Sequence, residues 1–427
     1  MKALVFGGGG SKGSYEVGVC QALNKLGYTF DLVTGVSIGA LCGAIYVQQD
    51  SQKFVDWINT FQQKDVSESL FMFPNQYSSK DLKGQSADAF FDLFCEDGPS
   101  IQPLITRYQK IFDFDRFMGS HIDYACLSYN MSQQKPQAFY KSEMTKENVI
   151  EQIFSSTAYF PAFNFIKING EYYADGGYAH SVPYELAQEM GATSLIAIDI
   201  SDFEIPDPFQ SDENHLLIRP LMKLKYYLDF SGADLTPQIM EGYLETLKYL
   251  NKAPGYLYTF YEEDWKDMLT LEKIGIEIIK KAGKKADLKE LPEALKEIYT
   301  FLFQYVPRPL NNKYSNEYIL GRVLEAIGCI CGLELFQQYH FKDFLKQILI
   351  HLENFNADPN TLPYQIEYRF MEMKGARDLI VFFHSAFLSY GLHLPEGFDK
   401  LKEKYLLPYY IAIAWIVLDK CRLLLDL

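Results

Sequence analysis

The chain has 427 residues, 48% hydrophobic and 15% aromatic, enough apolar side chain for one large core and a second, smaller one. A formal net charge of −15 excludes a partner gripped through nucleic-acid phosphates and works against a purely electrostatic hold on anionic membranes. The seven cysteines (20, 42, 95, 126, 329, 331 and 421) are odd in number and sparse, so free thiols are expected rather than a disulfide framework.

The predicted elements begin with a short apolar strand, Ala3 to Phe6, followed by the turn Gly7-Gly8-Gly9-Gly10-Ser11-Lys12-Gly13 and an amphipathic helix closed by Gly27. A second strand, Leu32 to Thr34, runs into Gly35-Val36-Ser37-Ile38-Gly39 and a helix of small and apolar residues reaching Gln49. The two strands are expected to be neighbours in a parallel sheet, with both loops opening at the carboxyl ends, where α/β sheets carry their sites. In Gly-x-Ser-x-Gly the serine sits on a sharp strand-to-helix turn that lifts its Oγ clear of the sheet, and the helix N-terminus behind it favours an anion. The pentapeptide alone also fits a plain turn. Gly8-x-Gly10-x-x-Gly13 fits a dinucleotide fingerprint, but that reading needs an acid at the end of the second strand, and Asp31 precedes it. The backbone N–H groups from Gly8 through Gly9, Gly10, Ser11 and Lys12 to Gly13 instead suit an oxyanion hole facing Ser37. Lys12 reads either as a cation for an anionic head group or as a solvated lysine beside a helix start.

Residues 50–120 read as helices and loops over the mouth of the site, with aromatic-rich stretches at Ser67 to Pro74 and Phe90 to Phe94. Two strands, Tyr124 to Tyr129 and Gln137 to Tyr140, and a helix, Val149 to Ser156, follow. Asn169-Gly170 between Phe165-Ile166-Lys167-Ile168 and Glu171-Tyr172-Tyr173 is a strong hairpin signal, and it delivers Asp175 to a strand end beside Gly176 and Gly177. The ordinary α/β-hydrolase order needs a long run of sheet before its serine and a histidine after it. Only 36 residues precede Ser37, and none of the seven histidines has an evident catalytic setting, although His180, five residues past Asp175, is a second candidate base.

The glycine loop, Gly35 to Gly39 and Asp175-Gly176-Gly177, in that order, resemble the patatin-like phospholipase family, over residues 1–255. Ser155 to Pro161 and Tyr178 to Pro183 are similar to its connecting segments; Val36 and Ile38 are larger than is usual there. The resemblance implies a three-layer α/β/α fold with a central, mostly parallel sheet. It implies Ser37 as nucleophile and Asp175 as proton acceptor in a dyad without histidine, with the Gly8–Gly13 loop as oxyanion hole. It calls for no metal or cofactor, and for a lipid or ester substrate met in transient contact with a membrane surface.

Beyond Pro183 a helix to Gly191 and a strand, Leu195 to Asp199, are expected, then a helix from Gln238 to Asn251 that resembles the last of the catalytic domain. Ala253-Pro254-Gly255 marks a boundary, and residues 256–427 read as an all-α domain of unassigned role. There, Lys280 to Lys296 reads as a solvated helix pair, Cys329-Ile330-Cys331 lacks the second pair a metal site needs, and Phe341 to Leu352 has helical spacing. Tyr409 to Leu418 opens a C-terminal helix that reads as buried packing, with membrane contact or an oligomer seam as alternatives. That run falls short of the roughly 18 residues of a membrane span, and the apolar stretch before Gly7 is too short for a secretory signal, so a cytoplasmic protein is expected. The function expected is acyl-ester hydrolysis through an acyl-enzyme; acyl transfer to another acceptor and a non-catalytic lipid-binding or scaffolding role are the rivals.

Overall fold

The computed structural model describes residues 1–50, 53, 55, 100–160, 162–201, 212–224, 235–281, 291–354, 376–392, 394–395 and 398–425. Within these limits the chain divides into two compact units, Met1–Thr246 and Leu247–Leu427.

The first unit is built on one sheet. Its strands are β1 (Lys2–Phe6), β2 (Leu32–Val36), β3 (Asp123–Asn130), β4 (Lys135–Tyr140), β5 (Ile166–Ile168), β6 (Glu171–Asp175), β7 (Ser194–Ile198) and β8 (His215–Ile218). They lie in the order β5-β6-β3-β2-β1-β7-β8, with β4 also on β3. The run from β3 to β8 is parallel; β4, β5 and β6 are antiparallel to their neighbours. Central parallel strands must be apolar on both faces because helices cover both, and β1 and β2 comply. Ala3, Val5, Leu32, Ala197 and Leu217 form one face, packed on Val182 and on Ala187 of the helix α6 (Tyr184–Glu189). On the opposite face Phe6, Val33 and Tyr124 meet Gly43 of α2 (Ile38–Val47), which packs on α1 (Gly13–Lys25). The sheet is therefore the middle of three layers. Between α2 and α6 in the chain lie α3 (Gln102–Tyr108), α4 (Phe114–Gly119) and α5 (Val149–Ser155). The aromatic stretches 67–74 and 90–94 lie outside the described residues. The β5–β6 hairpin turns on Asn169 and Gly170, at φ +51° and +85°, the left-handed pair that Asn-Gly supplies.

Helix α7 (Thr236–Tyr249) carries the chain into the second unit. There, among the described residues, β9 (Thr259–Phe260) and β10 (Gln338–Tyr339) form a small parallel ladder beside six further helices. These are α8 (Trp265–Lys281), α9 (Leu291–Phe303), α10 (Ile319–Ile330), α11 (Phe341–Glu353), α12 (Ala376–Tyr390) and α13 (Phe398–Lys404). All six pack against the last helix, α14 (Leu406–Leu425), whose residues Tyr409 to Leu418 are buried. The longest apolar run of the chain is thus the axis of a helical core rather than a membrane-facing surface. Two buried acids tie this unit together: Glu272 accepts from the N–H groups of Ile319, Leu320 and Gly321 at the start of α10, and Glu325 accepts from those of Tyr256, Leu257 and Tyr258. Among the described residues no helix is long and apolar enough to cross a membrane.

Candidate active site

Strand register brings Ser37 and Asp175 together. β2 runs parallel along β3 and stops where Val36 pairs with Leu127. β6 runs antiparallel along the same edge, opposite β4, and stops where Asp175 pairs with Ser128, the next residue of β3. Two strands approaching head to head therefore leave their last side chains side by side. Ser37 follows β2 directly, at φ +55° and ψ −129°, a conformation that costs a non-glycine residue on the order of 1–3 kcal/mol. Close approach maintains the turn: a Cβ on Gly39 would stand 2.5 Å from the carbonyl oxygen of Gly7. A Cβ on Gly35 would stand 2.4 Å from that of Gly39.

The Asp175 carboxyl accepts the Gly177 N–H at 2.7 Å, and the Ser37 hydroxyl beside it favours its charged form. Asp175 is 2% exposed. Burial pushes its pKa up to about 6, against the Ser37 hydroxyl and the Gly177 N–H, which favour the charged form. Its own N–H donates to Ala158 at 2.9 Å, and a Cβ on Gly176 would sit 2.0 Å from the carbonyl oxygen of Leu127. The acid is thus clamped between β3 and the segment after α5.

Ser156 is a site residue that the motifs do not reveal. Its buried hydroxyl accepts the Ser37 N–H at 2.9 Å and donates to the carbonyl of Leu127, so it pins the strained serine to β3. The only signal in the sequence is a small polar residue in the Ser155-Ser156-Thr157 run.

The glycine loop lies across from Ser37: a Cβ on Gly8 would come 3.2 Å from that of Ser37. Not every N–H in it faces outward. Gly8 donates to Ser181 at 2.8 Å, Lys12 to Gly9 at 3.3 Å, and Gly13 to the carbonyl of Gly10. Among the described residues this leaves Gly9 and Gly10, both half-buried, with unpartnered N–H groups. The expected set of six donors therefore narrows. Ser11 begins the approach to α1, and Gly13 is packed against Ile38. Lys12 is neither solvated nor turned to the surface: it is 2% exposed, and its Nζ donates to the carbonyl of Ile200 at 3.3 Å. His180 is half-exposed, with Nδ1 3.9 Å from Glu185 Oε1.

A mostly parallel sheet with helices on both faces, a strained serine at one strand end and a glycine loop across from it define an α/β protein built around a serine on a strand-to-helix turn. Residues 4–187 match the family described as patatin-like phospholipase. The chain is 27% identical over 214 residues to patatin-like phospholipase domain-containing protein 7 of Rattus norvegicus, covering 48% of this chain and 14% of that protein. It is 24% identical over 211 residues to neuropathy target esterase sws of Drosophila melanogaster, covering 48% and 13%. Against lysophospholipase NTE1 of Meyerozyma guilliermondii it is 24% identical over 269 residues, covering 60% and 17%. The chain thus spans less than a fifth of the length of these relatives.

Proposed function

We propose that the protein is a serine acyl hydrolase that releases fatty acids from lipid or phospholipid esters through an acyl-enzyme. The observation that carries this reading is the meeting of two strand ends on β3, which sets Ser37 beside the buried carboxyl of Asp175. The match of residues 4–187 to a phospholipase family and the lysophospholipase and esterase names of its relatives support the substrate class.

In this mechanism Asp175 takes the Ser37 proton as Oγ attacks the ester carbonyl carbon. The oxyanion of the tetrahedral intermediate is stabilised by the N–H groups of Gly9 and Gly10 and by the N-terminus of α2; each such donor is typically worth roughly 3–4 kcal/mol. The intermediate collapses, the alcohol leaves with the proton from Asp175, and Ser37 carries the acyl group. Water then attacks, giving its proton to Asp175, and the fatty acid departs as Ser37 is reprotonated. A carboxyl of ordinary pKa near 4 is a weak base for a hydroxyl, and the burial that raises Asp175 makes it a stronger one. Every step is carried by side chains and backbone. Residues 1–255 form the catalytic part in this reading and residues 256–427 an additional helical domain. Six free cysteines among the described residues suit a reducing, cytoplasmic setting.

The test is turnover of a fluorogenic acyl-ester panel, short to long chain, with a phospholipid included. Wild-type turnover that disappears in both Ser37→Ala and Asp175→Asn is the expected result, and His180→Ala keeps it. Turnover surviving Ser37→Ala overturns the reading.

A further inference from the structure

Along β3 the cover over one face of the sheet changes. Leu186 of α6 packs on Val36, Ala125 and Leu127. Farther along the same face the cover is aromatic. Tyr129 of β3 pairs with Ala174 of β6, and side chains alternate along each strand, so Tyr129, Ala174 and Tyr172 share that face with Leu127. Phe165, Tyr172 and Ala174 form a buried floor, on which the half-buried Met131 and Phe160 pack. Three tyrosines complete the surface. The Tyr178 ring lies nearly parallel to that of Tyr159, centroids 6.0 Å apart, and its centroid is 6.5 Å from that of Tyr129.

All three rings come from segments that meet at Asp175. Tyr129 follows Ser128, the partner of Asp175 on β3. Tyr159 follows Ala158, whose carbonyl accepts the Asp175 N–H at 2.9 Å. Tyr178 closes the single turn that begins with Gly176. Tyr178 is also 49% exposed, more than any other aromatic side chain among the described residues. Its hydroxyl donates to the carbonyl of Phe160 at 2.5 Å, which holds the ring in place at the surface.

The charges of β5 and β6 are sorted by face. Register sets Lys167 opposite Tyr172, on the aromatic side, and turns Glu171 and Asp175 to the other. Lys167 is exposed, with Nζ 2.9 Å from the Tyr172 hydroxyl and 4.6 Å from the ring centroid. A chain of net charge −15 thus carries, beside its candidate site, an exposed aromatic face to which these two strands contribute a lysine and no acid. Tyrosine suits the layer between lipid head groups and acyl chains, where an apolar ring and a polar tip are both satisfied, and an ammonium group finds phosphates there.

We propose that Tyr129, Tyr159 and Tyr178, with Lys167, form the face by which the protein settles on a bilayer of zwitterionic phospholipid, presenting the Asp175 strand end to it. The choice of lipid rests on the hydrolase reading.

The experiment uses the full chain and vesicles of palmitoyl-oleoyl phosphatidylcholine. Binding is read by co-sedimentation in a Ser37→Ala background, so that no lipid is consumed. Turnover, on the vesicles and on a soluble short-chain ester, is read with Ser37 intact. The double substitution Tyr129→Ser with Tyr178→Ser is expected to weaken vesicle binding by about tenfold or more, with turnover on vesicles falling alongside and turnover of the soluble ester kept. Tyr178→Trp is expected to bind at least as tightly. Its added indole, read against the three native tryptophans, should shift to the blue on contact with the vesicles and be quenched by brominated acyl chains. Vesicle binding unchanged in the double variant overturns the proposal, as does an indole that does not respond. A soluble-ester loss equal to the vesicle loss also overturns it, since the tyrosines would then serve the dyad and not the surface. So does a parent chain that stays off the vesicles, which would give the face to a protein partner. Where the double variant does not fold, the Tyr178→Trp response decides. Failure of the Ser37-intact chain to turn over the soluble ester would refute the hydrolase reading itself, whatever the vesicles show.

Discussion

A carboxyl group must be ionised to accept a proton, and Asp175 ionises only against the pull of its burial. Its pKa of about 6, raised from 3.8, sets two expectations. In the kcat/KM profile, turnover should rise as pH passes through about 6 and hold on the neutral-to-alkaline side; a profile falling as pH rises through 7 would remove Asp175 from the role. For stability the sign is the opposite. A carboxyl whose folded pKa is raised contributes stability fully below its unfolded value and loses it as pH rises through the folded value, here about 3 kcal/mol between pH ~4 and ~6. Asp175→Asn has nothing to ionise. It should therefore gain on wild type by roughly that amount in urea unfolding between pH 4 and 7, while its turnover falls by about 10³-fold or more. Stabilised and inactive is the expected phenotype. Ser37 and Asp175 are both legible in the sequence, because an elbow and a hairpin end are local patterns. Ser156 and the outward or inward turn of each loop N–H group are not, since they depend on which atoms the folded chain brings within hydrogen-bonding reach.

At the scale of elements the site is a consequence of register on β3, where β2 and β6 end on consecutive residues, Leu127 and Ser128. Anything that parts β6 from β3 should damage stability and turnover together. Gly176→Ala places a Cβ 2.0 Å from the Leu127 carbonyl oxygen, backbone against backbone, and should cost about 3 kcal/mol or more in urea unfolding. Gly119→Ala, with nothing within 4 Å, is the matched control and should be near neutral. Ser156→Ala leaves the Ser37 N–H without its acceptor and should cost about 1–3 kcal/mol with a fall in kcat; unchanged kcat would mean that the turn holds itself. The hairpin was readable from Asn169-Gly170, and α11 and α14 from their apolar spacing. The shared edge of β2 and β6 was not, because strands far apart in sequence carry no mark of which residue of β3 each will meet.

For the whole molecule, charge is the property that sequence states most directly: 55 acidic against 40 basic side chains, with no helix among the described residues long and apolar enough to cross a bilayer. An enzyme of net charge −15 that meets lipid at a surface must do so through apolar contact, and an anionic surface should repel it. Turnover on vesicles of zwitterionic phospholipid should therefore exceed that on vesicles doped with an anionic lipid of the same acyl chains. The gap should be widest at low salt and close as ionic strength rises from about 0.01 M to about 1 M, because the Debye length shrinks from ~30 Å to ~3 Å. A soluble short-chain ester, which needs no surface, should show none of this salt dependence, which separates repulsion at the membrane from salt acting on the site. Preference for the anionic vesicles, weakening with salt, would mean that a local basic face outweighs the net charge. Mapping it would then start with the lysines and arginines of whichever unit retains vesicle binding.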